Sequence, residues 1–423
     1  MVNVNAAANV YVCIAPSYTG LFCNNGRVYM ATFSIILICL IIFLKERVLL
    51  CLSQEDDDVV RRAEDVRMML RHHRVNELRR YVVREEKHVC DTCLNAAIYK
   101  VLGDCDIALP YFERCDAAAC YQLIRFDPEK LLVHHAHCLQ QTQNHERAVR
   151  ILSRVLIQHT EKSEGINDMM IRLIVQRIIL SRRVLGKPSD TTEAFFHRAR
   201  KIFNLPYESS YQLPLDYDIT FRDAKPWHDV KSNRVAVMLE NNAEEIQNEF
   251  RTVMCSIDFE IDFDRDLVMG NKNGWAKYNL MKNGLWDSER CALSFPFLCS
   301  LLRNLPEFKD LLEGEVAILK LDRDVNLAPH FGPTNTRLTI HLGLITPLHG
   351  VRIRVGNETR RQLALKSIVF DDSFEHEVLW DSESTSSDND DVSSSSRCNG
   401  NTCHHECNTE GSRYVLSLHT HNH

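Results

Sequence analysis

The chain has 423 residues, 45% of them hydrophobic, with 50 Lys and Arg against 57 Asp and Glu, which leaves a formal net charge of -7. At one domain per roughly 100–200 residues, this length predicts two or three domains. The ordinary composition excludes wholesale disorder and collagen-like structure, and it argues against a protein with many membrane spans. The acidic balance offers no basic field for nucleic acid. The 16 cysteines are too dilute for a small disulfide-stapled fold, yet they are many for a cytosolic enzyme.

The N-terminal tail, residues 1–27, is followed by an uncharged apolar run over residues 28–44. As a helix this run would span roughly 26 Å, which is near the thickness of a bilayer core, so it predicts a single transmembrane helix. A buried helix is one alternative. A cleaved signal peptide is disfavoured because the tail is long and no small-residue cleavage site follows. Lys45 and Arg47 follow the run, and the positive-inside rule alone would place the rest of the chain in the cytosol.

Residues 45–205 are predicted to be helical, since apolar residues recur near helical spacing while Gly and Pro are rare. Two stretches, 96–125 and 128–157, resemble paired antiparallel helices. They predict a tetratricopeptide-like (TPR-like) region, with another helical bundle as the alternative because the consensus is incomplete. Such a region is typical of a partner-docking scaffold or of a spacer. Cys90 and Cys93 form a Cys-x-x-Cys pattern, for which a structural disulfide or buried thiols are favoured over a redox role.

In residues 206–423 the sequence pattern changes from helical to that of β-strands, after one helix predicted from about Arg234 to Met254. Strands are predicted at Val316 to Leu321, Arg337 to Ile345, Val351 to Val355, Ser367 to Phe370 and Arg413 to Leu418. Short, regularly spaced strands indicate a β-sandwich or jelly roll. Residues 381–411 are rich in Ser, Asp, Asn and Gly and are predicted to form a disordered insertion between two strands. Their cysteines and histidines match no zinc-site spacing, so a mobile loop or a local disulfide is favoured over a metal site.

One predicted strand carries polar side chains on a single face. Arg337, Thr339 and His341 alternate with Leu and Ile, so they point to the same side of the strand. A basic and an imidazole side chain on one face of a barrel strand suggest an anion-binding interior. A polar face turned toward solvent is the alternative.

Two histidines lie at predicted strand ends, His330 and His376. Jelly-roll iron oxygenases use such a pair as metal ligands, normally with a carboxylate two residues after the first histidine. That position is Gly332 here, and glycine has no side chain to ligate a metal. From the residues alone, two unrelated histidines therefore remain an alternative to a metal site.

Two sequence blocks carry a resemblance to a known family: His330-Phe331-Gly332-Pro333-Thr334-Asn335 and Phe370-Asp371-Asp372-Ser373-Phe374-Glu375-His376-Glu377. They resemble the aspartyl/asparaginyl β-hydroxylase family of iron(II)- and 2-oxoglutarate-dependent dioxygenases, over roughly residues 224–418. That family lacks the carboxylate ligand and has glycine at its position. The resemblance implies a C-terminal double-stranded β-helix (jelly roll) that uses Fe(II), 2-oxoglutarate and O₂ to hydroxylate the β-carbon of Asp or Asn in epidermal-growth-factor-like (EGF-like) domains.

The resemblance also implies roles for individual residues. His330 and His376 would be the catalytic iron ligands. Trp275, His341 and Arg413 would bind 2-oxoglutarate, with Arg413 on its distal carboxylate, and Arg337 would bind the substrate. Two positions depart from the family: a serine that helps bind the cosubstrate aligns with Leu319, and a second substrate-binding arginine aligns with Thr339. We expect the first change to weaken 2-oxoglutarate affinity, and the second puts the usual substrate in question.

Together these features predict an α+β multidomain protein with an anchor, a TPR-like region and a jelly roll, in the order of the family's vertebrate membrane-bound members. That order implies a single-pass type II protein of the endoplasmic reticulum membrane with a lumenal catalytic domain. The resemblance further implies a Cys291–Cys299 disulfide, and Asn357-Glu358-Thr359 is a glycosylation sequon. The expected partners are EGF-like protein substrates and the membrane. The alternatives are a catalytically weak homologue that acts as a lumenal binding or scaffold protein, and a dioxygenase with a different substrate.

Overall fold

The computed structural model describes the following residues: 57–69, 75–82, 86, 88–161, 168–221, 224–261, 268–269, 274–308, 311, 314–347, 351–380 and 411–422. The predicted anchor over residues 28–44 lies outside them, as does the predicted insertion except for its last residue. Within the described ranges, no helix combines the length and the apolar character that a membrane crossing needs. The anchor and the insertion therefore stay predictions.

The first half of the described chain is helical, as predicted. Its helices cover residues 57–69, Val75–Leu78, Asp91–Val101, Cys105–Arg114, Ala117–Ile124, Pro128–Gln141, His145–Glu161, Asp168–Val184 and Ser189–Phe203. The predicted helix pair over residues 128–157 is present. Its first helix begins at Pro128, and the side chain of the preceding Asp127 accepts a hydrogen bond from the backbone amide of Glu129. The stretch 96–125 instead contains the end of the helix Asp91–Val101 and two short helices, Cys105–Arg114 and Ala117–Ile124. TPR-like packing, like the domain limits, stays a prediction.

Three disulfides cross-link the helices between residues 90 and 141: Cys90–Cys120, Cys93–Cys115 and Cys105–Cys138. The two cysteines of the Cys-x-x-Cys pattern thus pair with separate partners rather than with each other. The sulfur atoms lie in buried apolar clusters with neighbouring Leu and Ile side chains. This arrangement favours the structural interpretation of Cys90 and Cys93 over a redox role.

Removing the Cys105–Cys138 bridge by a double change to serine is expected to lower the free energy of unfolding by about 2–4 kcal/mol, since the bridge closes a long loop in the unfolded chain. Chemical denaturation of the oxidised protein measures this loss. Alkylation without reductant provides the control, because among the described cysteines only exposed Cys255 is free to react. Alkylation of Cys105 or Cys138 before reduction would contradict the pairing.

The second half of the chain forms two antiparallel sheets. Their strands are β1 (Trp227–His228), β2 (Glu260–Ile261), β3 (Val268–Met269), β4 (Trp275–Lys282), β5 (Leu285–Trp286), β6 (Glu315–Leu321), β7 (Asn326–His330), β8 (Arg337–Ile345), β9 (Val351–Val355), β10 (Glu358–Arg361), β11 (Ser367–Phe370), β12 (His376–Trp380) and β13 (Arg413–His421). The helices are Arg234–Asn241, Ala243–Val253, Ser288–Ser294 and Pro296–Leu302, with 3₁₀ turns at Val230–Ser232 and Pro306–Phe308. The helix predicted over residues 234–254 is thus interrupted at Asn242.

The strand order is that of a jelly roll. In the described part of the chain the larger sheet runs β1-β11-β8-β13-β6-β4-β2, with β5 paired to β4, and the smaller runs β10-β9-β12-β7-β3. From β6 to β13 the chain passes repeatedly between the two sheets, which closes the barrel-like core. All five predicted strands are present within a few residues of their predicted ends.

Both faces of the larger sheet are buried. On the outer face, Ile340 and Leu342 of β8 belong to one apolar core with Phe250 of the helix Ala243–Val253. The inner face bears Thr339 and His341, whose side chains are less than a tenth exposed. The interpretation of this polar face as solvent-facing is therefore wrong, and its polar groups point into the protein.

Candidate active site

A cavity of about 1300 Å³ separates the inner faces of the sheets from two helices of the first half. Strands β8, β13, β6 and β4 form one wall, and β7, β9 and β12 form another. The helices Pro128–Gln141 and Asp168–Val184 contribute polar side chains to the remaining side, among them His137, Gln140 and Gln176. A cavity of this size, lined by both halves of the chain and by convergent polar groups, is the natural candidate for an active site.

His330 and His376 face each other in this cavity. β7 ends at His330 and β12 begins at His376, and the antiparallel register makes the two residues direct partners. Their ring centroids are 4.1 Å apart. The Nδ1–H of His330 donates to the carbonyl oxygen of Ala328 at 2.7 Å, and that of His376 donates to Phe374 at 2.9 Å. These bonds place the ring lone pair on Nε2 of each residue, which is the state of a metal-ligating imidazole.

The electrostatic surroundings keep His376 neutral. Burial lowers the pKa of the His376 imidazole to about 3, with a further lowering from the neighbouring His330. A metal ligand must present an unprotonated nitrogen, so this environment suits ligation across the physiological pH range.

Gly332 leaves no room for a third ligand at its position. A Cβ atom there would lie 2.5 Å from Cγ of Asp372, whose carboxylate fills the space. No described group of three or more His, Cys, Asp or Glu side chains is arranged to hold a metal. The described residues thus offer two imidazole nitrogens, which suit Fe(II) and leave the other coordination positions to ligands from outside this part of the chain. The donor set fits the iron site that the resemblance implies.

Gly332→Ala is expected to lower the free energy of unfolding by about 1–3 kcal/mol, because the new methyl group overlaps a buried, ion-paired carboxylate. Gly332→Asp is expected to lower the free energy of unfolding further, without raising the affinity for a metal. Urea denaturation measures the first effect and metal titration the second. The matched background is Asp372→Ala, where the penalty of Gly332→Ala should largely disappear. An equal penalty in both backgrounds would rule out this steric origin.

A buried cation lies across the cavity from the histidines. Arg413, at the start of β13, is 1% exposed, and its guanidinium donates to Nδ1 of His341 at 3.4 Å. Its Nε has no hydrogen-bond partner, and no carboxylate of the described residues lies within ion-pair distance. Burial lowers the pKa of Arg413 to about 9, so the group is still charged at neutral pH. A buried cation without a counter-ion is a ready site for an anion.

Three further predicted residues surround this cation. Burial, followed by the charge of Arg413, lowers the pKa of His341 well below its ordinary value, so the imidazole is neutral. Trp275 of β4 and Arg413 of β13 both pair with Leu321 of β6 and so flank the same point of the sheet. Leu319, which also lines the cavity, presents an apolar side chain where the family has serine.

Arg337 reaches the same cavity but is already ion-paired. Its NH2 group lies 2.8 Å from Oδ2 of Asp372, and both side chains are less than a tenth exposed. Burial by itself raises the pKa of Asp372, but the charge and hydrogen bond of Arg337, together with contributions from His419 and His376, lower the pKa to about 2. Asp372 was not predicted as a site residue, although it lies inside the block that carries the resemblance.

An ion-pair network that sequence analysis also missed holds the second histidine. Glu375, which precedes His376, is 1% exposed and accepts hydrogen bonds from Arg183 and, at 2.9 Å, from NH2 of Arg354. Arg183 belongs to the helix Asp168–Val184, and its guanidinium lies 3.7 Å from the ring centroid of Tyr211. The helical half of the chain is thus tied directly to the strand that carries His376. Charge pairs between residues so distant in sequence leave no local pattern.

The Cys291–Cys299 disulfide is present. It joins the helices Ser288–Ser294 and Pro296–Leu302 within the core on the outer face of the larger sheet. It therefore supports the sheet from behind and is not among the residues that line the cavity.

Comparison with known proteins agrees with this geometry. Residues 240–386 match the family model described as aspartyl/asparaginyl beta-hydroxylase. These residues are similar to the domain of aspartyl/asparaginyl β-hydroxylases. The matched range includes both histidines and Arg337, while Trp275 and His341 also fall inside it and Arg413 lies beyond its end. The resemblance carried by the two sequence blocks is confirmed.

The curated relatives share this hydroxylase domain. The human protein "Aspartyl/asparaginyl beta-hydroxylase" is 33% identical over 181 residues, which are 42% of this chain and 24% of the relative. Human "Aspartate beta-hydroxylase domain-containing protein 2" is 27% identical over 150 residues, 32% of this chain and 39% of the relative. The chain therefore spans about a quarter of the length of the first relative and two fifths of the second.

Among solved structures, a prolyl-4-hydroxylase from Pseudomonas putida aligns with 44% of this chain and 88% of its own, at 12% identity and a TM-score of 0.24. An agreement this low supports no argument about the hydroxylase domain. The jelly-roll assignment rests on the strand order itself.

Proposed function

We propose that this protein is an iron(II)- and 2-oxoglutarate-dependent hydroxylase of the β-carbon of aspartate or asparagine in EGF-like domains of secretory-pathway proteins. The observation that carries the proposal is the pairing of His330 with His376 across β7 and β12, facing the same cavity as the uncompensated cation Arg413. Two neutral imidazoles and a buried guanidinium are the protein groups that a metal-bound 2-oxo acid with a second carboxylate requires.

Each residue has a defined task in this proposal. His330 and His376 hold the iron through Nε2, and the carbonyl oxygens of Ala328 and Phe374 fix the orientation of their rings. Arg413 binds the distal carboxylate of 2-oxoglutarate with its planar fork of donors. When bound, iron would supply the activation of O₂: one oxygen atom would enter succinate as 2-oxoglutarate loses CO₂, and the other would be inserted into a substrate C–H bond.

The surrounding side chains exclude water and position the reactants. Trp275 covers one side of the Arg413 site, and neutral His341 stays beside it without adding a second charge. Leu319 supplies an apolar contact where a serine hydroxyl would donate to the cosubstrate, so we expect a raised KM for 2-oxoglutarate. Arg337 orients the substrate while its charge is shared with Asp372.

The cavity also suits a polypeptide substrate. Its outer side is formed by the helical half, where Gln141 and Gln143 line the cavity together with His137. Amides recognise peptide backbone without a strong demand on sequence. A folded EGF-like domain would therefore contact both halves of the chain while one side chain reaches the histidine pair.

We also propose a lumenal location in the endoplasmic reticulum, with residues 28–44 as a type II anchor. The disulfides of the described part of the chain pair eight cysteines, which is typical of an oxidising compartment. Asn357 of the glycosylation sequon is exposed in the turn between β9 and β10, where an oligosaccharide can be accommodated. Glycosidase treatment of the protein from secretory cells tests this location: a mobility shift that Asn357→Gln abolishes is expected.

The experiment for the activity uses the full chain with Fe(II), 2-oxoglutarate and a folded EGF-like domain. We expect succinate formation and a mass increase of one oxygen atom in the domain, both absent with His330→Ala. Succinate no higher than in that variant would refute the proposal.

Leu319 supports one alternative, a catalytically weak homologue that acts as a lumenal binding protein through its helical half. That alternative predicts partner capture that survives the His330→Ala, His376→Ala double change, together with weak iron binding. A dioxygenase with a different substrate would instead form succinate without modifying EGF-like domains.

A further inference from the structure

The charges around the histidine pair nearly cancel. Arg337 is paired with Asp372, and Arg354 is paired with both Glu375 and Glu377. Arg183 adds a second pairing to Glu375. The cations on this side of the cavity are thus engaged by carboxylates of the protein, and the wall offers little net positive charge to an incoming anion.

Asp372 makes this wall unfavourable for a carboxylate. Its side chain is 6% exposed, is held ionised by the 2.8 Å ion pair with Arg337, and lies against Gly332, two residues from His330. A substrate carboxylate that approached Arg337 would have to share that cation with Asp372. Two carboxylates at one buried site repel each other, and neither is screened by water there.

Thr339 presents a neutral group at the centre of the same wall. It points to the same face of β8 as Arg337 and His341, and its partners in the sheet are Phe370 of β11 and His419 of β13. Its side chain lines the cavity and is 3% exposed, and Oγ1 has no hydrogen-bond partner in the described part of the chain. A buried hydroxyl both donates and accepts, and leaving it unsatisfied is unfavourable.

We propose that the target side chain is neutral and both donates and accepts hydrogen bonds, which selects asparagine over aspartate. This inference rests on the proposed hydroxylase function. The amide NH₂ of asparagine donates toward the Asp372 carboxylate, while its carbonyl oxygen accepts from Thr339 or Arg337. A carboxylate only accepts, so it offers no donor to Asp372 and adds a negative charge beside it, even where it accepts from Thr339 or Arg337. The selectivity thus has an attractive and a repulsive component.

The test compares two EGF-like domains that differ only in Asn or Asp at the target position, with the full chain, Fe(II) and 2-oxoglutarate. We expect kcat/KM for oxygen incorporation to be at least tenfold higher for the Asn domain. A smaller ratio, or a preference for Asp, overturns the inference. Succinate formation without any domain reports on the proposed function separately.

A binding measurement tests the inference even when no turnover is detected. Affinity of each domain for the full chain with Mn(II) and 2-oxoglutarate, measured without O₂, should favour the Asn domain by at least tenfold. Equal affinity, tighter binding of the Asp domain or binding of neither overturns it.

Thr339→Arg is the complementary variant, because it adds a cation that Asp372 does not neutralise. We expect it to raise kcat/KM for the Asp domain, relative to that for the Asn domain, by at least tenfold. Thr339→Met, similarly long but uncharged, is the matched control and should not. An equal effect of Arg and Met would show that size rather than charge sets the preference, and would overturn the inference.

Discussion

Replacing either His330 or His376 by alanine is expected to lower affinity for a divalent metal by more than about 100-fold, beyond the 10- to 100-fold typical of losing a hydrogen-bond partner of a ligand. The reason is the small donor set. The described residues supply two imidazoles, and no third side chain replaces one that is removed. Turnover of 2-oxoglutarate should fall to background in both variants. Titration of the apoprotein with Mn(II), followed by its paramagnetic resonance signal, measures the affinity.

The matched control is His197→Ala, since His197 is exposed on the helix Ser189–Phe203 and is remote from the cavity lining. It should bind metal like the unmodified protein. Near-native circular dichroism of the two alanine variants would separate loss of a ligand from loss of fold. Metal affinity within a few-fold of normal in either variant would contradict the assignment of the pair.

Arg413→Met is expected to raise the Kd for 2-oxoglutarate by roughly 30- to 5,000-fold, which corresponds to the 2–5 kcal/mol typical of truncating one partner of a buried charge pair. The free protein should nevertheless become more stable. In the absence of an anion Arg413 is 1% exposed and has no carboxylate partner within the described ranges, and an apolar side chain of similar length avoids that desolvation. Calorimetric titration measures the affinity, and thermal unfolding measures the stability.

Arg413→Lys and Arg352→Met serve as controls. Lysine keeps the charge but not the planar fork, so intermediate affinity is expected. Arg352 is exposed on β9, and its loss should leave the Kd unchanged. In the unmodified protein 2-oxoglutarate should raise the unfolding temperature, and in Arg413→Met it should not. Unchanged affinity in Arg413→Met would place the cosubstrate elsewhere.

Local patterns predicted the strands that alternate strictly, such as β8 and β9, almost to the residue, because side-chain alternation and burial are encoded within each segment. β4 was not predicted as a strand, although Trp275 within it was assigned to the site. Its burial depends on neighbouring strands rather than on its own alternation. The helix predicted over residues 234–254 is interrupted at Asn242. The side-chain amide of Asn242 donates a hydrogen bond to the Met238 carbonyl oxygen at 2.8 Å.

The residues of the candidate site could be predicted only where the sequence resembles the family. His330, His376, His341, Trp275 and Arg413 all line one cavity, as the resemblance implied. The pairing of Arg337 with Asp372 and the link from Arg183 to Glu375 were not predicted, because they depend on how distant segments meet. The partners of Cys90 and Cys93 were hidden for the same reason. We infer that these long-range contacts set the substrate charge that the wall accepts.

We propose that the histidine pair and Arg413 together form an iron and 2-oxoglutarate site. Incubation of the full chain with Fe(II), 2-oxoglutarate and ¹⁸O₂, followed by mass analysis of the succinate, tests it most directly. We expect succinate with one ¹⁸O atom, formed well above the level of the His330→Ala, His376→Ala double variant. Unlabelled succinate, or equal formation by the double variant, would contradict it.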